Sequence, residues 1–271
     1  MHLELTAVDY LGPMAWGVTS PQLFRAADGN LYVVKLCANK LGAKALANEA
    51  LGAKLGRKLG LCFPASGQIW IDRRLLRQSR RLQQIAGNTG PHFACFYLSH
   101  TSYVTRAELS RAVNRQELAG VMLFDQLLHN ADRTHNRKNL LIRKEADGRR
   151  IYAIDHSHLF RRGRWTPELL EQLARDVTVS TRRVYGLLLK YYLQPCDFSC
   201  YREAIKSWQD EELAEVVSQI PAIWLPDADE RQALIKHLQV RRSMVDDVLA
   251  AITAYIPASR RLIGTASANE E

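Results

Sequence analysis

Loose alternation of apolar and polar residues marks the N-terminal part of the chain, and this alternation predicts strands. The predicted strands cover 1–10, 22–26, 30–36, 66–71 and 92–98. One run between them, 43–59, has its leucines and alanines at helical spacing and predicts a helix. The basic stretch 72–90 has neither period, so we expect an exposed connection there.

Helical spacing of apolar residues takes over after residue 105. The predicted helices cover 106–115, 116–128, 166–176, 178–193, 198–209, 210–220 and 227–255. Pro167 near one helix start, and Asp197, Asp210 and Asp227 ahead of others, are typical N-terminal signals. The last residues, 264–271, are polar and are expected to be frayed.

A polar segment, 129–158, interrupts the helices and carries most of the candidate chemistry. Two short apolar strands, 140–142 and 151–154, flank a turn at Asp147 and Gly148 and predict a hairpin. An amide precedes the first strand of this hairpin and a carboxylate follows the second, and in a hairpin these two positions are neighbours. These groups therefore come to lie side by side at one end of the hairpin.

The polar side chains of this segment suggest a metal site and a catalytic carboxylate. Asn139 precedes the first strand and Asp155 ends the second, and hard cations such as Mg²⁺ prefer amide and carboxylate oxygens. Asp132, in the loop before the hairpin, would orient the hydroxyl of a nucleophile, as a catalytic-loop carboxylate does in phosphoryl transfer. The alternative is a solvated polar loop that happens to precede a hairpin.

A lysine and a glutamate upstream form a second candidate feature. Lys35 lies in a strand whose neighbours on both faces are apolar, so a buried ammonium there needs an anionic partner. Glu49, fourteen residues later on the predicted helix, would supply it as in kinases. The alternatives are an edge strand with an exposed Lys35 tip, and a surface Glu49 paired with Lys44 or Lys54.

Two further segments could contact a nucleotide. In the loop 11–21, Gly12 and Gly17 would let backbone amides approach a phosphate, and Thr19 and Ser20 add hydroxyl donors. A plain hairpin connection explains this loop equally well. The strand 92–98 ends before a polar turn, 99–101, where a hinge between two lobes would fall. The hinge backbone, Phe96, Tyr97 and Leu98, would bind adenine.

Composition is ordinary for a globular protein, with 47% apolar and 24% charged residues among 271. No apolar run is long enough for a transmembrane helix, and the N-terminus lacks the features of a secretory signal. We therefore expect a cytoplasmic protein without membrane contact. Five cysteines, an odd number without close pairing, argue against a disulfide framework. Zinc held by Cys196, Cys200, His156 and His158 is the less favoured alternative.

The net charge of +9 is dispersed along the chain, but it rises in arginine runs at 73–81, 161–164 and 182–183. Such runs occur in proteins that bind nucleic acids or other anions, but no recognised nucleic-acid module is present. Nucleotide phosphates would use the same field. We interpret these runs mostly as solvated faces, which makes a nucleic-acid partner unlikely without excluding it.

Taken in order, these features resemble the protein-kinase-like fold and, more narrowly, the HipA-like kinase family in its small single-domain bacterial form. The resemblance covers roughly residues 1–255. It is carried by Leu31-Tyr32-Val33-Val34-Lys35, Lys44-Ala45-Leu46-Ala47-Asn48-Glu49, Asn130-Ala131-Asp132-Arg133-Thr134, Asn139-Leu140-Leu141 and Ile154-Asp155-His156. It implies an α+β, two-lobed fold with a small sheet-rich N-lobe, 1–98, a larger helical C-lobe, 99–258, and a polar tail, 259–271.

The resemblance also implies roles for the candidate residues. Lys35, held by Glu49, would neutralise the nucleotide phosphates, and Asp132 would be the catalytic carboxylate. Asn139 and Asp155 would bind Mg²⁺, and the loop 12–20 would cover the phosphates. Such kinases bind ATP and phosphorylate a protein Ser or Thr, sometimes their own.

Two departures from the kinase pattern matter. The usual Asp-Phe-Gly is Asp155-His156-Ser157, and Asn139 follows Asp132 by seven residues instead of five. Asn136 therefore competes as the metal ligand, although Asn139 is preferred because it directly precedes the strand. We interpret Arg133 as an anchor of the loop.

The leading hypothesis is an ATP- and Mg²⁺-dependent phosphotransferase with a protein substrate. The alternatives are a nucleotide-binding pseudokinase without catalysis, a kinase acting on a small molecule, and a basic regulator that binds nucleic acid. Three histidines near the loop could orient the catalytic carboxylate or serve only as hydrogen-bonded scaffold: His129, His135 and His156.

Overall fold

The computed structural model describes residues 3–15, 17–87, 89–161 and 163–261. Its N-terminal part is a closed barrel of five strands with the order β1-β2-β3-β5-β4. The strands are β1 (Leu3–Pro13), β2 (Gln22–Ala26), β3 (Leu31–Lys35), β4 (Ser66–Ile71) and β5 (His92–Phe96). Strands β1 and β4 pair in parallel, and the other neighbours are antiparallel. The sequence predicted a small sheet, and its closure into a barrel is a finding of the structure.

Alternation along the strands explains the interior of the barrel. In β2, Phe24 and Ala26 are buried while Arg25 between them is exposed, and in β3 Tyr32 and Val34 point inward. These residues and their counterparts form a compact apolar cluster. The inserted segment 72–90 is not the irregular connection we expected, because it contains the short helices α2 (Arg73–Gln78) and α3 (Arg80–Ala86).

Helix α1 (Lys44–Lys58) lies between β3 and β4 in the chain but packs into the other core of the molecule. Its Leu46, Leu51 and Leu55 are fully buried in a larger apolar cluster formed mainly by the C-terminal helices. This packing places one face of α1 against the helical part, and that face carries Asn48 and Glu49, both buried.

The helical part begins with a short strand and is built around one buried helix. Every residue of α5 (Leu118–Leu127) is buried. Strands β6 (Ser102–Tyr103), β7 (Leu140–Glu145) and β8 (Gly148–Ala153) form a three-stranded sheet, of which β7 and β8 are the predicted hairpin. The other helices are α4 (Arg106–Arg111), α6 (Ala131–His135), α7 (Pro167–Leu173), α8 (Val184–Tyr191), α9 (Ser199–Lys206), α10 (Asp210–Ser218), α11 (Ala228–Ser243), α12 (Val245–Thr253) and α13 (Ala258–Arg261).

Three predicted elements differ from the structure. The helix expected over 178–193 starts only at Val184, because residues before it form a loop held by Gln126 through the backbone of Ser180. The long helix expected over 227–255 is two helices, with Met244 between them. The loop expected before the hairpin contains α6.

The predicted polar tail, 259–271, is described only at its start. Of the predicted polar tail, residues 259–261 belong to α13, and 262–271 lie outside the described residues. Among the helices the structure describes, none is long and apolar enough to cross a membrane.

Candidate active site

A cleft of about 410 Å³ lies between the barrel and the helical part. Its walls come from four places: the loop before β2, strand β3 with α1, the segment after β5, and the hairpin with the loop before it. The polar residues that line it include Thr19, Lys35, Glu49, Asn136, Lys138, Asn139 and Asp155. The cleft thus collects most of the candidate residues named from the sequence.

Lys35 lies between two carboxylates. Its ammonium donates to Asp155 Oδ1 at 2.8 Å and to Glu49 Oε1. Burial lowers the pKa of Lys35, but the charges of Asp155 and Glu49 outweigh burial and hold that pKa above the ordinary lysine value. The Lys35 Nζ atom thus connects β3 with α1 and with the residue that follows the hairpin.

Asp155 is ionised despite its partial burial. Burial raises the pKa of its carboxyl group, but the Lys35 charge and hydrogen bonds from Lys35 and Ser157 hold it well below the usual range. The Ser157 hydroxyl donates to Asp155 Oδ1 at 2.5 Å and the Ser157 amide at 3.1 Å. Asp155 also has φ of +68°, a conformation that costs energy for a residue with a side chain. The segment is therefore held in place by its surroundings.

Helix α1 supplies much of that support. The amide of His156 donates to Glu49 Oε2 at 3.1 Å. The adjacent Asn48 donates through Nδ2 to the carbonyls of Ser157 and Gly163, at 3.0 Å each, and accepts from Trp165 Nε1 at 2.9 Å. Asn48 and Glu49, neighbours on α1, thus hold the backbone of the segment that follows Asp155.

His156 occupies the place where kinases carry phenylalanine. Its ring lies 4.4 Å from the centroid of Phe63 and 5.9 Å from that of Phe124. It packs so closely on α1 that a Cβ at Gly52 would come within 2.6 Å of the ring. The imidazole thus replaces the aromatic packing of phenylalanine, and its Nδ1 lies 3.3 Å from Glu49 Oε2.

The catalytic-loop candidates form a chain of hydrogen bonds. Asn139 Nδ2 donates to Asp132 Oδ2 at 2.6 Å, and Asn136 Nδ2 donates to Asn139 Oδ1 at 3.2 Å. Both asparagines line the cleft, whereas Asp132, on α6, is not among its lining residues. The structure therefore links Asn136 and Asn139 instead of separating them, and it leaves the choice of metal ligand between them open.

A buried ion pair between Arg133 and Asp125 positions this loop. The sequence indicated Arg133 as an anchor, but we did not predict Asp125 as its partner. Arg133 Nε donates to Asp125 Oδ2 at 2.7 Å, and neither side chain is exposed. Arg133 Nη1 donates to the carbonyls of Asn139 and Ile154, the latter adjacent to Asp155. Arg133 thus holds both ends of the hairpin. The available signal was an aspartate, next to Gln126, within the mostly apolar run 118–128.

Asp125 accepts hydrogen bonds from three residues. Besides Arg133, it accepts from Asn130 Nδ2 at 3.0 Å and from the hydroxyl of Tyr185 on α8. Burial and the Asp125 charge raise the pKa of Tyr185 well above its ordinary value, so this hydroxyl stays protonated and donates.

The candidate phosphate loop is only partly at the cleft. Gly17 and Thr19 line it, but Gly12 lies within β1, paired with Leu23, and Ser20 is not among the lining residues. Gly17 has φ of +121°, and a Cβ there would meet Pro21 Cδ at 2.9 Å. Trp16, in the same loop, lies outside the described residues.

The hinge candidates line the cleft, but two of their amides are already used. The Phe96 amide donates to the Ala65 carbonyl at 2.8 Å, and the Tyr97 amide to the Leu31 carbonyl at 2.9 Å. The hinge can therefore offer a base the Tyr97 carbonyl and the Leu98 backbone, but not these two amides.

Two of the histidines near the loop bind backbone carbonyls, as the scaffold alternative has it. His129 contacts the Leu173 carbonyl, and His135 contacts the Ala131 carbonyl and Arg182, so neither contacts Asp132. The histidine nearest to Asp132 is His158, with Nδ1 4.0 Å from Asp132 Oδ2. Within the described ranges, no three His, Cys, Asp or Glu side chains converge to hold a metal.

Comparisons with known proteins agree with this geometry. The model of a family described as HipA-like kinase matches residues 8–253. Among solved structures, a Helicobacter pylori proinflammatory kinase, CtkA, is 11% identical with a TM-score of 0.55, over 95% of this chain and 100% of its own.

A second solved structure, the Golgi casein kinase with Mn/ADP bound, is 11% identical with a TM-score of 0.50. That match covers 96% of this chain and 75% of its own. At such low identity the likeness shows the fold alone, which is protein-kinase-like. No curated protein matches the sequence.

Proposed function

The chain belongs to the HipA-like kinase family, and on that premise we propose that it is an ATP- and Mg²⁺-dependent phosphotransferase acting on a protein Ser or Thr hydroxyl. The barrel and the helical part would act as the two lobes of a kinase, with the cleft between them as the nucleotide site. The observation that carries the proposal is the contact of Lys35 with both Glu49 and Asp155. Kinases place a lysine–glutamate ion pair and a metal-binding aspartate at the nucleotide phosphates, and the contact brings these three residue types together.

The donor set of the cleft fits a hard divalent cation. Asp155 is ionised, and the amides of Asn139 and Asn136 lie nearby on the same cleft wall. Carboxylate and amide oxygens are the ligands that Mg²⁺ accepts, together with phosphate oxygens. Asp155 with Asn139 or Asn136 would hold Mg²⁺, whose positive charge would offset the negative charge of the ATP phosphates. Lys35 would contact the same phosphates, and Glu49 would keep its ammonium in place.

The remaining residues bind the nucleotide and orient the acceptor. Asp132 would accept the proton of the acceptor hydroxyl, and the hydrogen bond from Asn139 sets the direction of its carboxylate. Gly17 and Thr19 would cover the phosphates, and the Tyr97 carbonyl and Leu98 backbone would bind the base. Asp132 lies outside the cleft lining, which suits a residue that faces the acceptor and not the nucleotide.

Three variants test this assignment. Asp132→Asn should lower the rate of phosphoryl transfer from ATP about 10²-fold or more, because the carboxylate that takes the proton is lost. Its nucleotide affinity, measured by calorimetry, should stay close to that of the wild type. Asp155→Asn should weaken Mg²⁺-dependent nucleotide binding. Asp147→Asn, in the exposed turn of the same hairpin, is the matched control and should change neither quantity.

One observation favours a second candidate, a pseudokinase that only senses nucleotide. Asp132 and Asn139 already satisfy each other by a hydrogen bond, and Ser157 replaces the usual glycine. Nucleotide binding that needs no Mg²⁺, with no release or transfer of phosphate, would establish this candidate. Unchanged transfer in both Asp132→Asn and Asp155→Asn would reject the catalytic assignment.

A further inference from the structure

Three arginines border α6, the helix that carries Asp132, and the nucleotide cleft does not use them. They are Arg137, Arg182 and Arg183, all exposed, and we refer to them as the basic rim. Arg137 lies two residues after the end of α6, and the other two end the loop before α8. None of the three is among the residues that line the cleft.

A hydrogen bond fixes the position of Arg182 relative to Asp132. Arg182 Nη1 lies 3.2 Å from His135 Nε2, and His135 is three residues after Asp132 on the same short helix. The other nitrogen of His135 lies 2.6 Å from the Ala131 carbonyl and must donate to it, which leaves Nε2 as the acceptor for Arg182. Arg182 is therefore held by a residue that lies about one helical turn after the proposed catalytic Asp132.

The loop that carries two of the arginines is built to hold them there. Ser180 exchanges two hydrogen bonds with Gln126, at 3.0 and 3.1 Å, and its hydroxyl lies 2.9 Å from that of Thr134 on α6. At the end of the loop Arg183 has φ of +55°, a strained value for a residue with a side chain. Such strain persists only where the surroundings impose it, and it is common at functional sites.

The charge of the rim is uncompensated. In the part of the chain that the structure describes, no carboxylate lies within 4.0 Å of Arg137, Arg182 or Arg183. Six other arginines of the helical part have such partners: Arg143, Arg149, Arg150, Arg161, Arg202 and Arg242. Arg111 and Arg175 are among those that, within the described residues, lack one as the rim does. What distinguishes the rim is its place next to α6 in the chain and the hydrogen bond that holds Arg182 there, and exposed cations at such a place attract an anionic ligand.

We propose that the basic rim binds the phosphoacceptor and selects a peptide segment with Asp or Glu beside the target Ser or Thr. This inference rests on the proposed function and adds the class of substrate. A peptide fits the charges because it brings a neutral hydroxyl to Asp132 and carboxylates to the arginines. A nucleic acid would bring a phosphate to Asp132 as well, and neither α6 nor the loop 178–183 has a Phe, Tyr or Trp for base stacking.

The transfer balances without a further reactant. A bond forms between the acceptor oxygen and the γ-phosphorus of ATP, and the bond from that phosphorus to the β–γ bridging oxygen breaks. ADP leaves with that electron pair, and the hydroxyl proton passes to Asp132 and then to solvent. The basic rim takes no part in these steps. It acts on acceptor affinity, so its loss should raise KM for the acceptor more than it lowers kcat.

The test uses two labelled peptides that differ only in charge. One carries a serine flanked by glutamates, and its twin carries glutamines at the same positions. Fluorescence anisotropy gives Kd for each, and phosphate incorporation from ATP gives kcat and KM. For the full-length protein we expect the glutamate peptide to bind about tenfold more tightly than its twin, a preference that added salt weakens.

Variants locate the effect. Arg182→Gln/Arg183→Gln should reduce the preference to about twofold or less, and Arg137→Gln should reduce it in part without touching the hydrogen bond of α6. Arg74→Gln/Arg77→Gln removes the same charge from α2 and should keep the full preference. Nucleotide affinity should be equal in all of them.

Two results would overturn the inference. One is equal affinity for the two peptides, or a preference that the rim variants leave unchanged. The other is tighter binding of a short single-stranded RNA that the same variants abolish. Failure of the proposed function is distinct, because it would show as no transfer of phosphate from ATP by the wild type, whatever the peptide affinities are.

Discussion

Single residues of this protein are fixed by partners that the nucleotide does not supply. Lys35 has two carboxylates, and Asp155 has donors from Lys35 and Ser157, before any ligand binds. Because the charged groups are already oriented, the proposed binding of a nucleotide would not carry the entropic cost of ordering these side chains. The same holds for the loop with Asp132, where Arg133 binds the carbonyls of Asn139 and Ile154 at the two ends of the hairpin.

Arg133 gives the sharpest prediction at this scale. Arg133→Met should lower the free energy of unfolding by about 3–5 kcal/mol, because it leaves the Asp125 carboxylate buried without its cation. Tyr185→Phe removes one neutral donor to the same carboxylate and should cost only about 1–2 kcal/mol. Urea unfolding measures both. Equal losses would show that Arg133 is not the residue that holds the loop.

At the scale of elements, α1 is attached to the helical part more firmly than to the barrel. Lys44 donates to Glu230 at 2.5 Å and to the Trp165 carbonyl at 2.8 Å, and Lys58 pairs with Glu212 at 2.6 Å. Asn48 and Glu49 bind the segment after the hairpin. The glutamate of the Lys35 pair therefore belongs mechanically to the C-terminal part, while the lysine belongs to the barrel.

Asn48 should matter more than the surface pairs of the same helix. Asn48→Ala leaves two carbonyls and the Trp165 indole unsatisfied in the interior, which should cost about 2–4 kcal/mol and weaken nucleotide binding through Asp155. Lys58→Ala breaks only an exposed pair and should leave both quantities nearly unchanged. If the two variants behaved alike in unfolding and calorimetry, the support that α1 gives to the cleft would be disproved.

On the scale of the whole molecule, two buried histidines tie stability to pH. His129 and His237 contact the carbonyls of Leu173 and Leu170 of α7, with their rings 6.3 Å apart. Burial lowers the pKa of His129 to about 4 and that of His237 to about 3. Their contribution to stability is complete above pH 6.5, where the unfolded chain is also neutral, and it is lost as the pH falls toward these folded values.

We therefore expect the free energy of unfolding to fall between pH 7 and pH 5. Each histidine contributes about 2 kcal/mol to this fall, because the unfolded chain takes up a proton that the folded chain does not. A His129→Gln/His237→Gln variant should lose this part of the pH dependence, and His100→Gln, at an exposed position, should keep it. An identical slope in all three proteins would contradict the assignment.

The sequence alone determined the kinds of elements, their order and the family. Alternation marked the strands and the hairpin, the 3.6-residue period marked α1 and α5, and the short motifs around Lys35, Asp132 and Asp155 indicated a HipA-like kinase, which the family match confirmed. These signals are local, so neighbours in the chain carry them. The roles of the individual site residues and the lobe boundary near residue 98 stay predictions.

Tertiary structure decided what depends on residues far apart in the chain. The closure of the barrel, the attachment of α1 to the helical part and the pairing of Asp125 with Arg133 and Tyr185 were not predicted. Nor was the loop that ends in the basic rim, where a helix was expected. The apolar residues of 178–193 fit helical spacing, but two hydrogen bonds between the Ser180 backbone and the side chain of the buried Gln126 hold the first part of this segment as a loop. They outweigh the weak helix propensity of these residues. Such contacts leave no periodic trace in the sequence, because each is satisfied by one distant partner.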